Sequence, residues 1–415
     1  MFLADHAIWW QVYPLNALGA PTHGYTAADH AHRLPGLIPW LGHVQELGCD
    51  GILLGPIFES ATHGYDTLDH FRIDPRLGDE SDFAALIAAA HARGLAVMLD
   101  GVFNHVGVNH PLVAETLAGR SHAIRLIDTP AGPAPAPWEG HGDLALLNHD
   151  DPAVVDLVTD VMTYWLERGI AGWRLDVAYA VPSHFWREVL ARVRATHPDA
   201  VFLGEVIHGD YAAIAQEDTL TAVTQYELWK ATWSSLKDTN FWELAHALTR
   251  HQEFSTRALM QTFVGNHDVT RIASQVGDDG AALAAAILFT VPGMPSVYYG
   301  DEEAFRGEKG TGAYADDPIR PPLPATPEQL APFGAWMRRH YQALIGLRRR
   351  HPWLTHGQLT VTGKDNTWIT YRVASGARTA AVRLEVGPVP RVRVVVDDGA
   401  ASEEFTWQGG RPAAG

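Results

Sequence analysis

The sequence predicts an α/β fold, a (β/α)8 barrel with a short insertion after its third strand and a small C-terminal antiparallel β domain. Two patterns carry this expectation. Short apolar runs, each bounded by Gly, Pro or Asp, alternate with stretches of helical periodicity, as expected of a parallel sheet covered by helices. Beyond a basic, Trp-bearing helix at 336–350 the pattern changes to two-residue alternation, which signals antiparallel strands with one covered face.

The expected barrel strands are Ile8 to Val12, Gly51 to Leu54, Leu95 to Leu99, Gly172 to Leu175, Val201 to Leu203, a weaker Ala222 to Thr224, Met260 to Val264 and Ser296 to Tyr299. Helices are expected at Leu37 to Leu47, at Asp82 to Arg93, stopped by Gly94, and at Val154 to Arg168. Residues 106–149 contain Pro130, Pro133, Pro135 and Pro137, so no continuous helix fits there. The C-terminal strands are placed at Leu359 to Thr362, Trp368 to Val373, Thr379 to Leu384 and Val392 to Val396. The expected division is therefore a catalytic barrel from 1–105 and 150–350, an insertion at 106–149 and a β domain at 351–415.

Composition narrows the partner class. The chain has 415 residues, 47% hydrophobic and 19% charged, an ordinary globular balance. Lys and Arg number 31 against 48 Asp and Glu, a net charge of −17, which repels phosphate backbones and anionic lipid. A neutral or cationic small molecule is the easier partner, not nucleic acid or a membrane. Cys49 is the single cysteine and cannot form an internal disulfide. The N-terminus lacks a basic stretch followed by an apolar run, and no window approaches the ~18 uninterrupted apolar residues of a span. These features point to a soluble, cytoplasmic protein, with the oligomeric state left open.

In such a barrel, reactive groups sit at the C-terminal ends of the strands. Strand three runs into Asp100, Asn104 and His105; strand four carries Arg174 and ends at Asp176; strand five ends at Glu205; strand seven runs into Asn266, His267 and Asp268. A single Asp after a strand is explained by capping, but four acidic rims around one mouth are costly to bury without partners or function. Glycoside cleavage uses such a set, one carboxylate attacking the anomeric carbon and one carboxylic acid protonating the leaving oxygen. Asp176 and Glu205, on neighbouring strands, are the natural pair. Arg174 lies two residues before Asp176, hence on the same face, and is expected to hold that aspartate ionised while Glu205 stays freer to keep its proton.

The segments DGVFNH, GWRLDVAY, GEV and FVGNHD, in this order, resemble four signature segments of the α-amylase family, glycoside hydrolase family 13. HGYDTLDHFRIDPRLG at 63–78, LLNHDDPAV at 146–154 and VPGMPSVYYGDE at 291–302 add to the resemblance, which spans roughly residues 6–350. It implies Asp176 as nucleophile, Glu205 as acid/base and Asp268 as the carboxylate that stabilises the distorted transition state. It further implies that Arg174, His105 and His267 contact the nucleophile or the sugar hydroxyls, that Tyr65 is the stacking platform, and that Asp66 engages a terminal glucose. An aromatic face suits the C–H face of a pyranose, and His or Asp its hydroxyls.

Several features depart from the family pattern. Ala178-Tyr179 stands where starch-degrading members carry Lys-His, and AYAVPSHFWREV is similar to the neopullulanase and cyclomaltodextrinase branch. That branch's N-terminal β domain has no counterpart, since strand one begins near residue 8. No cofactor is required. Calcium is the one kept open, because Asn104 matches a calcium-ligand position; yet the insertion offers only Asp128, Glu139 and Asp143, and calcium takes six to eight oxygens. The simpler reading of Asn104 is a structural hydrogen bond. The histidines at 6, 23, 30, 32, 43 and 63 lack metal-ligand spacing. Of the 14 Trp, Trp138 and Trp233 are the candidates for sugar stacking, because they fall near the expected rim.

The leading expectation is a retaining α-glycoside hydrolase acting on α-glucosidic bonds of short gluco-oligosaccharides through a covalent glycosyl-enzyme. An α-glucan transglycosylase or sugar isomerase would use the same residues with a sugar acceptor in place of water. A non-catalytic sugar-binding barrel is the distant third reading. Arg306 or Arg320, after the eighth strand, is the candidate to close the subsite beyond a terminal glucose.

Overall fold

The computed structural model describes residues 3–312 and 314–410. Eight parallel strands close into a barrel: β1 (Trp9–Val12), β2 (Gly51–Leu54), β3 (Ala96–Gly101), β4 (Gly172–Leu175), β5 (Val201–Gly204), β6 (Ala222–Thr224), β7 (Leu259–Phe263) and β8 (Met294–Tyr298). Each pairs with its neighbours in chain order, and β1 pairs with both β2 and β8. The strands are short and almost wholly buried, since side chains fill one face and helices cover the other. This accounts for sequence runs of uninterrupted apolar residues.

The lower interior is a separate apolar cluster in which Trp9, Leu53, Met98, Val201, Leu203 and Met294 meet Ala4 and Ala7 from the N-terminal turn. The Trp9 indole N–H donates to Met294 Sδ at 3.2 Å. Gly51 makes room for this plug: a Cβ there would lie 2.7 Å from the Trp9 ring. The floor of the barrel is thus filled, as expected for a core and not a pore.

The helix Glu80–His91 begins on a capping box between Asp79 and Asp82 and is followed by Gly94 at φ 70°. Pro152–Leu166 starts with Asp151 as cap and Pro152 in its first turn. The helix expected from Leu37 is shorter: a 3-10 turn Leu34–Leu37 precedes Trp40–Leu47, because Pro39 has no N–H to continue the ladder. Ile272–Thr290 is long and apolar enough to cross a membrane by length and composition alone, although Gln275, Asp278 and Asp279 interrupt its apolar residues. Its apolar half, from 281 to 290, is fully buried, and the Thr290 Oγ1 meets the Tyr371 hydroxyl of the C-terminal sheet. Burial on all sides explains its composition.

After β3 the chain leaves the barrel. His105–Gly107 pairs antiparallel with His141–Leu146, which pairs with Pro137–Trp138, and Leu126–Thr129 forms a hairpin with Gly132–Pro135. Pro133, Pro135 and Pro137 lie on edge strands, where a missing N–H is tolerated, and Pro130 lies in the hairpin turn. One short helix, Pro111–Leu117, also forms, with Pro111 in its first turn. The C-terminal sheet is a five-stranded meander of Gln358–Lys364, Trp368–Ser375, Arg378–Glu385, Arg391–Asp397 and Ser402–Gln408. The fifth strand is absent from the sequence expectation because SEEFTWQ is mostly polar. Trp407 from this strand stacks on Trp336, with centroids 6.4 Å apart, and tethers the sheet to helix Ala335–Arg350.

Candidate active site

The rim groups converge because the ladder register places them side by side. Arg174 pairs with Asp100 on β3 and with Leu203 on β5, so its side chain stands between the ends of both neighbouring strands. Its Nη1 donates to both oxygens of Asp100 at 2.8 Å and to Asp176 Oδ1 at 3.0 Å. Its Nη2 lies 2.7 Å from Glu205 Oε1. One buried guanidinium therefore holds three buried carboxyls. This corrects the expectation that Arg174 serves Asp176 and leaves Glu205 without a cation.

The electrostatic consequence also differs from the expectation. Burial, then the charge of Glu205, raises Asp176 well above the usual carboxylate range, against the opposing pull of Arg174. Burial likewise pushes Asp100 up to about 6, Arg174 again opposing. With one cation among three acids, burial and the neighbouring carboxyls outweigh Arg174 at Asp176, and the cluster titrates as a unit.

Glu205 is fixed from three directions. Besides Arg174, its Oε1 accepts from the Tyr226 hydroxyl at 3.2 Å and its Oε2 from the Val177 N–H at 3.1 Å. Val177 has φ 49° and ψ 37°, a left-handed conformation that is unfavourable for a β-branched residue. This turn directs the amide after Asp176 at the carboxylate of the next strand.

Asp268 forms the other half of the site. Its Oδ1 lies 3.1 Å from Arg320 Nη2 and its Oδ2 3.1 Å from His267 Nε2. Burial pushes His267 down to about 3, so the ring is neutral at pH 7. Gln11 Nε2 lies 3.2 Å from His267 Nδ1; as the amide can only donate, the ring proton sits on Nε2, facing Asp268 and the Tyr65 hydroxyl. Burial works to raise Asp268, but its charged surroundings outweigh burial and bring it to about 2. The largest of these opposing charges is His267, protonated only at the low pH where Asp268 itself titrates, followed by Arg320 and Arg174.

These contacts close on themselves. Asp268 meets His267; His267 meets Tyr65; the Tyr65 hydroxyl donates to Asp100 Oδ2 at 3.0 Å. Asp100 leads to Arg174 and Glu205, and Glu205 to Tyr226. Asn266 Nδ2 donates to the Tyr226 hydroxyl at 2.8 Å, while its Oδ1 accepts from the Asp268 N–H at 2.9 Å. The Tyr65 ring stacks on His267, 5.6 Å between centroids and 8° between planes.

His105 is neutral, brought down to about 4 by burial. Its Nε2 donates to the Tyr65 carbonyl at 3.1 Å, and Asn104 Nδ2 lies 3.1 Å from its Nδ1. Asn104 thus sets the His105 tautomer. Asp128, Glu139 and Asp143 are all exposed, and among the described residues none of them belongs to a cluster of three or more acidic or histidine ligands. Asp66 is 2% exposed; its Oδ2 accepts from Thr62 Oγ1 at 2.6 Å and its Oδ1 has no protein partner. Arg306 pairs with Asp278 at 2.5 Å, away from this circuit, whereas Arg320 belongs to it.

Sequence reasoning missed Tyr226 and Gln11 and assigned no role to Asp100 or Asn266. Asp100 closes β3, and Asn266 and Tyr226 follow strand ends, which was the available signal; Tyr226 follows the strand that was weakest in the sequence.

A family model described as "Alpha amylase, catalytic domain" matches residues 23–125 and 139–342. The cyclomaltodextrinase of Geobacillus thermopakistaniensis is 31% identical over 409 residues, covering 90% of this chain and 68% of that protein. The maltogenic alpha-amylase of Bacillus acidopullulyticus is 32% identical over 353 residues, covering 80% of this chain and 58% of that protein. The chain spans between about half and four fifths of the length of the curated relatives it matches. Among solved structures, the ligand-free cyclic α-maltosyl-(1→6)-maltose hydrolase from Arthrobacter globiformis superposes with a TM-score of 0.81 at 25% identity, covering 98% of this chain and 100% of that one.

Proposed function

The chain belongs to the α-amylase family, and from that membership we propose that it is a retaining hydrolase of α-glucosidic bonds in short gluco-oligosaccharides. The observation that carries the reading is the single guanidinium shared by Asp176 and Glu205, which gathers the two carboxyls that a double displacement needs at one bond. In the first step an Asp176 oxygen bonds to the anomeric carbon, the glycosidic C–O bond breaks, and Glu205 gives its proton to the leaving oxygen. In the second, water attacks the same carbon, Glu205 takes its proton, and the Asp176 ester is released. Asp268, held ionised, and His267, a neutral donor, suit the sugar hydroxyls; Tyr65 suits the apolar face of the ring. Arg174, Asp100 and Tyr226 act through the two reacting carboxyls, and His105 and Asp66 complete the glycone contacts.

The names of the relatives favour oligosaccharides over polymer: cyclomaltodextrinase, maltogenic amylase and the intracellular maltogenic amylase of Bacillus subtilis. The last supports a location inside the cell. Residues 1–105 with 150–350 are assigned to the catalytic barrel, 106–149 to the insertion and 351–415 to the C-terminal domain. The test is trapping with 5-fluoro-α-glucosyl fluoride followed by peptide mass spectrometry. The label is expected on the peptide containing Asp176; a label elsewhere, or none during turnover of maltotriose, would overturn the assignment.

A further inference from the structure

The rings of the cleft form a row that runs out of the segments shared with the family. Tyr13 and Tyr65 each stack on His267 with centroids 5.6 Å away. His105 is bonded to the Tyr65 carbonyl and stacks on Trp138, 6.2 Å between centroids and 14° between planes. Trp138 lies outside the family match, which breaks between 125 and 139.

Trp138 is rigidly placed. It belongs to one edge strand of a three-stranded sheet whose other edge strand contains His105; the central strand His141–Leu146 joins them, with Leu146 opposite His105 and Ala145 opposite Pro137. The next two residues, Glu139 at φ 46° and Gly140 at φ 82°, make the consecutive left-handed pair of a tight hairpin reversal. The indole is half-buried, with part of its surface left for a ligand.

At the opposite end of the row lies a cavity of about 140 Å3 whose lining includes Tyr65, Asp268, Arg320, His23, His63 and Asp316. Its walls hold Asp268 and the Tyr65 platform, so this is the glycone end. Arg320 is anchored there by Asp268 and Asp316 and lies over the Tyr13 ring at 4.2 Å, which closes that side. With that side closed, the end of the row at His105 and Trp138 is the one left open for the remainder of a bound chain.

Building on the hydrolase reading above, we propose that Trp138 is a specificity-determining residue that packs against the first sugar beyond the scissile bond, so that the insertion reads the leaving group. An indole face laid on the C–H face of a pyranose gives apolar contact without hydrogen-bond demands, which suits a neutral α-linked glucosyl unit.

The full-length chain and its Trp138→Ala and Trp138→Phe variants are assayed on maltotriose and on α-glucosyl fluoride, which share the glycone and differ in whether the leaving group is a sugar. The ratio of kcat/KM for maltotriose to that for the fluoride is expected to fall about tenfold in Trp138→Ala, mainly through KM, and to recover largely in Trp138→Phe. Thermal melting of each variant checks the fold. An unchanged ratio overturns the proposal. An equal loss on both substrates also overturns it, because Trp138 would then act on the glycone through His105. A wild-type chain inactive on both substrates fails at the hydrolase reading, and the proposal falls with it.

Discussion

The backbone amide of Val177 donates to Glu205 Oε2 at 3.1 Å, tying the residue after one reacting carboxyl to the other reacting carboxyl on the adjacent strand. A valine held at φ 49° costs on the order of 1–3 kcal/mol, a strain maintained by the buried surroundings of β4 and β5. Glu205→Gln keeps an oxygen for that amide but has no proton to give. Its kcat on maltotriose is expected to fall about 10²–10⁴-fold, with a smaller loss on α-glucosyl fluoride, whose leaving group needs little protonation. Equal losses on the two substrates in steady-state assays would remove the proton-donor role.

The pH profile follows from the crowding of acids around Arg174. Burial and the Glu205 charge raise Asp176, so the ionised form needed for attack is lost as pH falls, beginning above the ordinary carboxylate value of about 3.9. The acidic limb of kcat/KM is expected well above that value, and Arg174→Lys, with fewer nitrogens to share, moves it further up. A limb near pH 4 in the wild type would contradict this. The midpoint belongs to the coupled carboxyls, not to one residue.

Tyr226 joins Glu205 to Asn266 and, through it, to Asp268. Removing its hydroxyl frees both neighbours at once. Tyr226→Phe is expected to lower kcat about tenfold while KM changes little, in keeping with a lost hydrogen bond to a charged group of about 1.5 kcal/mol. A change confined to KM would place Tyr226 among substrate contacts instead.

His340 gives a stability test remote from the cleft. Its Nε2 lies 2.9 Å from the Ala282 carbonyl, and burial pushes the ring down to about 4. Between the unfolded value near 6.5 and that folded value, unfolding takes up a proton, so stability is lost as pH falls. Each such histidine contributes a slope of about 1.4 kcal/mol per pH unit in that window. His340→Gln is expected to flatten the slope by about that amount between roughly pH 6 and 4.5, read from denaturant melts; an unaltered slope would mean the ring titrates normally in the folded chain.

Much of this molecule was legible before any coordinates. Gly51 to Leu54, Gly172 to Leu175 and Ala222 to Thr224 form strands over those residues, because short apolar runs ending in Gly or polar residues have few other solutions in an alternating chain. The rim acids were visible because function places them where core residues would otherwise stand. What escaped was relational. Nothing in the spacing of 174 and 205 shows that one arginine reaches both carboxyls, since that depends on the register of three strands. Tyr226 and Gln11 enter through contacts made more than twenty and more than two hundred residues away. The fifth C-terminal strand was hidden because SEEFTWQ forms an edge with little covered surface.

The plug formed by Trp9 and Met294 makes the barrel a vessel with one mouth. Under the proposed mechanism a severed leaving group must depart through the same doorway by which water arrives, and an outside sugar competes for that doorway. The partition between hydrolysis and transfer would then be a matter of traffic, set by how quickly the first product vacates and how concentrated the waiting acceptor is.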